Sequence, residues 1–252
     1  MKENTAKGHP VLFSIMLGVV LILLVSVASA AASIMELDDT GVRIAQACAF
    51  FVMAVIVSVY MTRKGRSLAS FGFKKLNPAK TQQVLYYIPL LIIALFQPAM
   101  NGINFDLSVT EVVSILLMTV LVGFTEETIF RGILREKLRL KGPVFYIVFS
   151  SVFFGILHMA NALNGTEFIH ILLQVINALL LGCMLALLIE TADNIIPLIA
   201  FHFIYDALAM VSNENLDQEI LLVSLLNILY FLYGIYLVVV LLRRKQSHHL
   251  SA

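Results

Sequence analysis

The chain has 252 residues, of which 60% are hydrophobic and 13% are charged, with a net charge of +1 at pH 7. Soluble domains are about 45–50% apolar and about 25% charged, so a soluble fold of this length could not bury so much apolar surface. The composition therefore excludes an ordinary soluble protein, and no nucleic-acid signature is present. It predicts an all-α, polytopic membrane helical bundle that forms a single membrane domain over residues 1–252.

Apolar segments of membrane-spanning length follow one another along the chain. A transmembrane helix needs about 20 apolar residues, and the pattern predicts about eight such helices. The first segment has a basic start and small residues near its end, as signal peptides do, but its long apolar stretch favours an uncleaved span. The third is the weakest because Pro89 and Pro98 interrupt it. The predicted spans are residues 11–35, 42–62, 84–100, 111–138, 143–160, 168–189, 194–212 and 219–242.

The distribution of charge predicts the orientation. Of the 17 Lys and Arg residues, 16 fall on one side of an eight-span arrangement and only Arg43 falls on the other. Because Lys and Arg concentrate in cytoplasmic loops, we expect this side and both termini to be cytoplasmic. The connection Glu190–Asp193 is an exception, since it lies on this side without a basic residue. The acidic residues of the opposite side are Glu36, Asp38, Asp39, Asp106, Glu111, Glu167, Glu214, Asp217 and Glu219.

Few ionisable side chains lie inside the predicted spans. Each costs about 2.5–3.5 kcal/mol at the bilayer centre, so such residues usually face a bundle interior or a cavity and serve a function. Each also has a structural interpretation, because a lone His can hydrogen-bond between helices and an i, i+4 pair can lock a fold. Their joint occurrence on three spans favours a functional site. They are Glu126, Glu127, Arg131, His158, His202 and Asp206.

Helix geometry separates the two glutamates. Glu127 and Arg131 are spaced i, i+4 and are expected to pair, whereas Glu126 points about 140° away from Arg131 and needs another partner. The turn near residues 141–142 makes a hairpin of the fourth and fifth spans. Glu126 and His158 both lie about 22–24 Å from that turn, so the hairpin is predicted to hold them at one level.

The seventh span carries a second pair on one helical face. His202 and Asp206 are spaced i, i+4, but His202 lies closer to its inner turn than His158 does, so a tilt is needed to bring them level. Phe154 shares a face with His158 and is expected to wall the site. A polar stripe on the sixth span is interpreted as helix packing, with cavity lining as the alternative; it consists of His170, Gln174 and Asn177.

Three short motifs, in order and each on its own span, carry a resemblance to a known family. Glu126–Gly132 resembles the E-E-x-x-x-R motif of the CPBP family of intramembrane proteases. Phe154–His158 matches its F-x-x-x-H motif, and His202–Asp206 matches its H-x-x-x-N/D motif, with Asp where the well-studied prenyl proteases have Asn. One motif alone is a weak signal, but the three in order inside membrane spans are a strong one.

The resemblance implies a CAAX-type intramembrane endopeptidase of a bacterial cell membrane, with residues 111–212 (spans four to seven) as its catalytic core. It implies that Glu126 activates water with help from His158, and that His202 and Asp206 hold or polarise the substrate carbonyl. Asp206 cannot donate a hydrogen bond unless it is protonated, so its part in that pair is an open question. Supporting roles are expected for Glu127, Arg131 and Phe154.

The expected partners are the lipid bilayer and a membrane-associated or lipidated protein or peptide substrate, without nucleic acid. The favoured mechanism is glutamic and requires no cofactor or metal. Zinc is the alternative, because two His and a carboxylate are a known catalytic zinc set; Glu126, His158, His202 and Asp206 would then be the ligands. Two other functions stay open, namely a non-enzymatic membrane scaffold or bacteriocin self-immunity protein, and a small transporter or channel.

Overall fold

The computed structural model describes residues 9–75, 84–160 and 168–250, and these residues form helices and no strand. Lys2, Lys7, Lys80 and Glu167, used above for the orientation, lie outside the described residues. The helices are α1 (Pro10–Ile34), α2 (Asp39–Thr62), α3 (Ile88–Asn101), α4 (Val109–Glu127), α5 (Leu134–Leu138), α6 (Pro143–Leu157), α7 (Phe168–Ala192), α8 (Ile196–Val211) and α9 (Leu216–Leu250).

The prediction of an all-α polytopic membrane bundle is confirmed. Among the described residues, six helices are long and apolar enough to cross a membrane. Two further predicted spans are present as shorter apolar helices: α3 has 14 residues and α8 has 16. Pro98 lies inside α3, whereas Pro89 lies in its first turn, where a missing backbone N–H has no cost. The count of eight full spans stays a prediction.

The helix that carries the two glutamates is one continuous unit of three parts. It begins at a capping box, in which the Ser108 side chain accepts from the Glu111 backbone N–H and Glu111 binds back to Ser108. After α4, the backbone forms a π-helical turn over Thr128–Ile133 and returns to α-helix in α5. Such turns are rare and often occur at functional sites. This one contains Arg131.

The packed helix pairs form a closed ring. Its order is α1, α2, α4, α8, α3, α9, α7, α6 and back to α1. The helices that carry the three motifs therefore lie on the same ring, although α4 and α6 are not adjacent to each other in it. The predicted hairpin of the fourth and fifth spans is thus not the main contact of Glu126, because α4 packs chiefly against α2 and α8.

The helix ends that the sequence predicts to be cytoplasmic, called the inner ends below, are joined by a network of charges. Arg135 on α5 contacts Glu190 at 2.6 Å and Asp193 at 2.7 Å, and Lys74 also pairs with Asp193. Burial acts to raise the pKa of Asp193, but hydrogen bonds from Lys74 and Arg135 outweigh it and hold that pKa below its ordinary value. The acidic connection at Glu190–Asp193 is therefore compensated by basic residues from other segments.

The opposite, outer ends are joined by polar contacts of another kind. Ile103 and Ser212 form an isolated bridge that ties the ends of α3 and α8. His170 at the start of α7 lies 3.2 Å from Glu219 at the start of α9. Arg43, the one basic residue of this side, donates to Ser114 at 3.1 Å and so joins α2 to α4.

The contact between α4 and α8 depends on a glycine. A Cβ atom at Gly123 would lie 2.9 Å from the backbone N of Phe203 and 3.1 Å from the backbone O of Ile199. These are backbone atoms, so the two helices would have to move apart. A side chain at this position would therefore widen the contact beside His202, whose Cβ would lie 3.4 Å away.

We predict that Gly123→Ala lowers the thermal unfolding temperature of the purified protein. The matched control is Gly234→Ala on α9, where a Cβ would meet only Leu187, at 3.8 Å. In a helix Ala is favoured over Gly by about 0.5–1 kcal/mol, so the control should be at least as stable as the parent. Equal unfolding temperatures for the two variants would contradict this reading of the α4–α8 contact.

Candidate active site

The four residues predicted to be catalytic line one cavity inside the helical ring. Its volume is about 360 Å³, and its wall is formed by six helices, α3, α4, α6, α7, α8 and α9. The side chains that face it from the predicted motifs are Glu126, Phe154, His158, His202 and Asp206. Residues more than 70 positions apart in the chain are thus brought to one chamber.

Glu126 projects from the last turn of α4 and is turned away from Arg131, as predicted. Its Oε2 atom lies 3.8 Å from Nε2 of His202, which supplies the partner that the sequence geometry required. The side chain is 15% exposed, so it is largely shielded and yet touches the cavity. A carboxylate in this setting can accept a proton from a water molecule in the cavity.

His202 is held between carboxylates on both edges of its ring. Its Nδ1 donates to Oε1 of Glu127 at 2.8 Å, because a carboxylate can only accept. Its Nε2 edge therefore faces Asp206, whose Oδ2 atom is 3.4 Å away, and Glu126. The contact with Glu127 fixes the ring orientation and places a proton on Nδ1.

Glu127 and Arg131 form the predicted i, i+4 ion pair, at 3.1 Å, with both side chains fully buried. Arg131 also donates to the backbone carbonyl of Gly182 on α7, at 3.3 Å. The sequence geometry did not predict that the same Oε1 atom of Glu127 also accepts from His202. One carboxylate oxygen therefore connects the helix of the first motif to the helix of the third.

His158 is the C-cap residue of α6 and is half-buried. Its Nδ1 donates to the backbone carbonyl of Phe154 at 2.9 Å, which leaves Nε2 as the nitrogen that can accept or relay a proton. The described residues contain no ion pair between His158 and Glu126 within 4.0 Å, although both line the cavity. The two side chains therefore face the same cavity without forming a direct ion pair.

Phe154 walls the site, as its shared face with His158 indicates. Its ring centroid lies 4.8 Å from that of His158 and 6.4 Å from that of His202. The guanidinium of Arg131 stacks on it with a centroid distance of 4.7 Å, within the range of a cation–π contact. Phe154 is 2% exposed, so it also separates the buried ion pair from the cavity.

The cavity also has lining residues outside the predicted catalytic set. Gln97 and Glu219 face the cavity from α3 and α9, outside the predicted core of residues 111–212. Gln174 and Asn177 line it as well, and Asn177 also donates to Asn227 on α9 at 3.1 Å, so the polar stripe serves both helix packing and cavity lining. Tyr205, one residue before Asp206, accepts at 2.9 Å from the Tyr230 hydroxyl. The spacing of these residues in the sequence shows that they are polar, but it does not show that they face a shared cavity.

The ligand types suit zinc, although they do not form a ready-made metal site. Among the described residues, no group of three or more His, Cys, Asp or Glu side chains is placed so that it could hold a metal ion. Nδ1 of His202 is used by Glu127 and Nδ1 of His158 by a backbone carbonyl, which leaves one nitrogen on each ring. A zinc-bound His has the same arrangement, because its other nitrogen donates to a carboxylate or a carbonyl, so zinc stays the alternative to the glutamic mechanism.

The comparisons with known proteins agree with the motifs. Residues 108–208 match the family described as type II CAAX prenyl endopeptidase Rce1-like. No curated protein and no solved structure matches the chain. The matched segment begins at the N-cap of α4, ends within α8, and contains all three motifs, so the resemblance predicted from them is confirmed. Together with the membrane-length helices, the match supports an integral, multi-pass membrane protein that is similar over residues 108–208 to the type II CAAX prenyl endopeptidases, consistent with a CPBP family intramembrane protease.

Proposed function

We propose that this protein is a glutamic intramembrane endopeptidase that hydrolyses peptide bonds of membrane-associated or lipidated proteins and peptides. The observation that carries the proposal is the convergence of Glu126, His158, His202 and Asp206 on one cavity. These residues are ionisable and lie on three different helices, which is costly to build in a membrane without a function. The Rce1-like match supports the reaction class.

In the proposed reaction, Glu126 takes a proton from a water molecule while the oxygen of that water attacks the carbonyl carbon of the scissile peptide bond. The free Nε2 of His158 lies on the same cavity wall and assists by holding this water. The proton then passes to the leaving amine, and the C–N bond breaks. General acid–base groups of this kind contribute about 10²–10⁴-fold to a rate.

The negative charge on the carbonyl oxygen needs a donor, and His202 is the residue placed to supply it. With Nδ1 donating to Glu127, a proton on Nε2 points into the cavity. Carboxylates on both sides of the ring compensate the positive charge of the doubly protonated imidazole. We assign Asp206 to His202 rather than to the substrate, since an ionised Asp accepts and does not donate. This assignment removes the difficulty that Asp poses in place of Asn.

We predict that Glu126→Gln lowers peptide hydrolysis by about 10²-fold or more, because Gln has the shape of Glu but cannot take the proton. The measurement is mass-spectrometric profiling of peptide termini in membranes that contain the parent or the variant. The matched control is Glu214→Gln, which changes an exposed carboxylate outside the cavity. Cellular function that survives Glu126→Gln would instead favour a scaffold or self-immunity protein.

Glu127 is proposed as a positioning residue that acts through His202. We predict that Arg131→Met destabilises the protein by about 3–5 kcal/mol, because it leaves a buried carboxylate without its cation. The double variant Glu127→Leu/Arg131→Met should regain most of this stability, since no charge is then left unpaired. It should stay inactive because His202 has lost the acceptor that orients it.

The measurements are unfolding in detergent and the turnover number for a peptide that the parent cleaves. A stable double variant with parental turnover would contradict the positioning role of Glu127. Loss of turnover with an unchanged KM would support it, because a merely structural defect would also weaken substrate binding.

The glutamic mechanism predicts that hydrolysis by the purified protein persists after treatment with metal chelators. Metal content should be measured on the same sample by elemental analysis. Zinc bound by the parent, lost in His158→Ala and His202→Ala, and required for activity would replace the glutamic mechanism by a metalloprotease that uses the same residues.

A further inference from the structure

The cavity lies at one end of the helical ring. Gln97 is four residues before the end of α3, His158 caps the end of α6, and Glu219 lies in the first turn of α9. The bridge between Ile103 and Ser212 and the contact between His170 and Glu219 place these helix ends on the same face. This is the outer face, opposite the charge network of Arg135.

Exposure of the acidic and imidazole side chains rises toward that face. His202 is 6% exposed, Glu126 is 15% exposed and Asp206 is 28% exposed. Glu219, at the start of α9, is 33% exposed. The gradient follows α8 and α9 outward from the reacting groups, so the chamber opens toward the outer ends of the helices.

The opposite side of the chamber is closed. Glu127 and Arg131 are 0% exposed, and the next turns of the same helix place Ile133 and Leu134 in the core at 0%. Phe130 packs edge-on against Phe154 with a centroid distance of 4.9 Å. Beyond them lies the network of Arg135, Glu190 and Asp193. Large apolar side chains therefore pack beside the buried ion pair on this side of the chamber.

The basic residues identify the two faces. Among the described residues, Lys74, Arg135, Arg139 and Arg244 lie at the closed end, whereas Arg43 lies at the other end. Because such residues face the cytoplasm, the closed end is the cytoplasmic one. The cavity then opens on the far side of the membrane.

We infer that substrates enter the cavity from the non-cytoplasmic face, and that the substrate class is membrane-associated or exported polypeptides with their cleavage segment on that face. The identification of the entering molecule as a substrate rests on the proposed function, whereas the direction of entry rests on the geometry of the cavity and the distribution of basic residues. A cytoplasmic C-terminal tail would have to pass the closed inner end to reach Glu126. A segment emerging on the outer face meets Glu219 first and then Asp206 and Glu126.

The direction of entry can be tested with single cysteines and a membrane-impermeant maleimide. In a background in which Cys48 and Cys183 are replaced by Ala, Val223→Cys places a thiol of nearly unchanged size on the cavity wall, one turn inside Glu219. Glu214→Cys and Lys245→Cys, both at exposed positions, are the controls for the outer and the inner face.

Val223→Cys and Glu214→Cys should be labelled in spheroplasts, with labelling lost in sealed inside-out vesicles, and Lys245→Cys should give the reverse. The inference would be overturned if Val223→Cys were labelled in the same preparation as Lys245→Cys. It would also be overturned if Val223→Cys were labelled in neither preparation. The labels do not depend on catalysis, so an inactive protein with an outward-facing cavity would refute the proposed function alone.

A second measurement needs no cysteine substitution. Peptide termini that are lost in Glu126→Gln membranes should map to segments on the non-cytoplasmic side of their parent proteins. Termini that map to cytoplasmic C-terminal tails would overturn the direction of entry while leaving the peptidase assignment intact.

Discussion

The site depends on one carboxylate oxygen that serves two partners. Oε1 of Glu127 accepts from Arg131 on its own helix and from His202 on α8, and none of the three side chains is more than 6% exposed. In such surroundings a charge without a partner costs several kcal/mol, so each member requires the others. Arg131 also donates to α7. The arrangement that orients the imidazole is therefore also what joins α4, α7 and α8.

Much of this site follows from the sequence by local rules. The pairing of Glu127 with Arg131 and the turning of Glu126 away from Arg131 both follow from the angle between successive helical residues. The scarcity of ionisable side chains in apolar spans marks His158, His202 and Asp206 in the same way. The starts of the eight predicted spans agree with the helices to within about four residues because the apolar segments are long and several begin at Pro or Ser, whereas α9 ends eight residues beyond its predicted end.

The contacts between helices cannot be predicted from the sequence by such local rules. Whether Glu127 meets His202 depends on the packing of α4 against α8, which is set by shape at Gly123 and not by a periodic pattern. Gln97 and Glu219 join the cavity because their helices complete the ring, and nothing in their local sequence distinguishes them from other polar residues at helix ends. Span length was overestimated for α8, since its apolar flanks continue into connections.

The π-helical turn at Thr128–Ile133 has a consequence for how the first motif is measured along the chain. Such a turn holds one residue more than an α-helix would use, and an α-helical residue accounts for about 100° of rotation. Deleting any one residue of the turn would leave good helix on both sides. It would also swing Arg135 by about a quarter-turn from Glu190 and Asp193, or else swing Glu126 out of the chamber. The number of residues in this turn is therefore as much a part of the motif as the types of its residues.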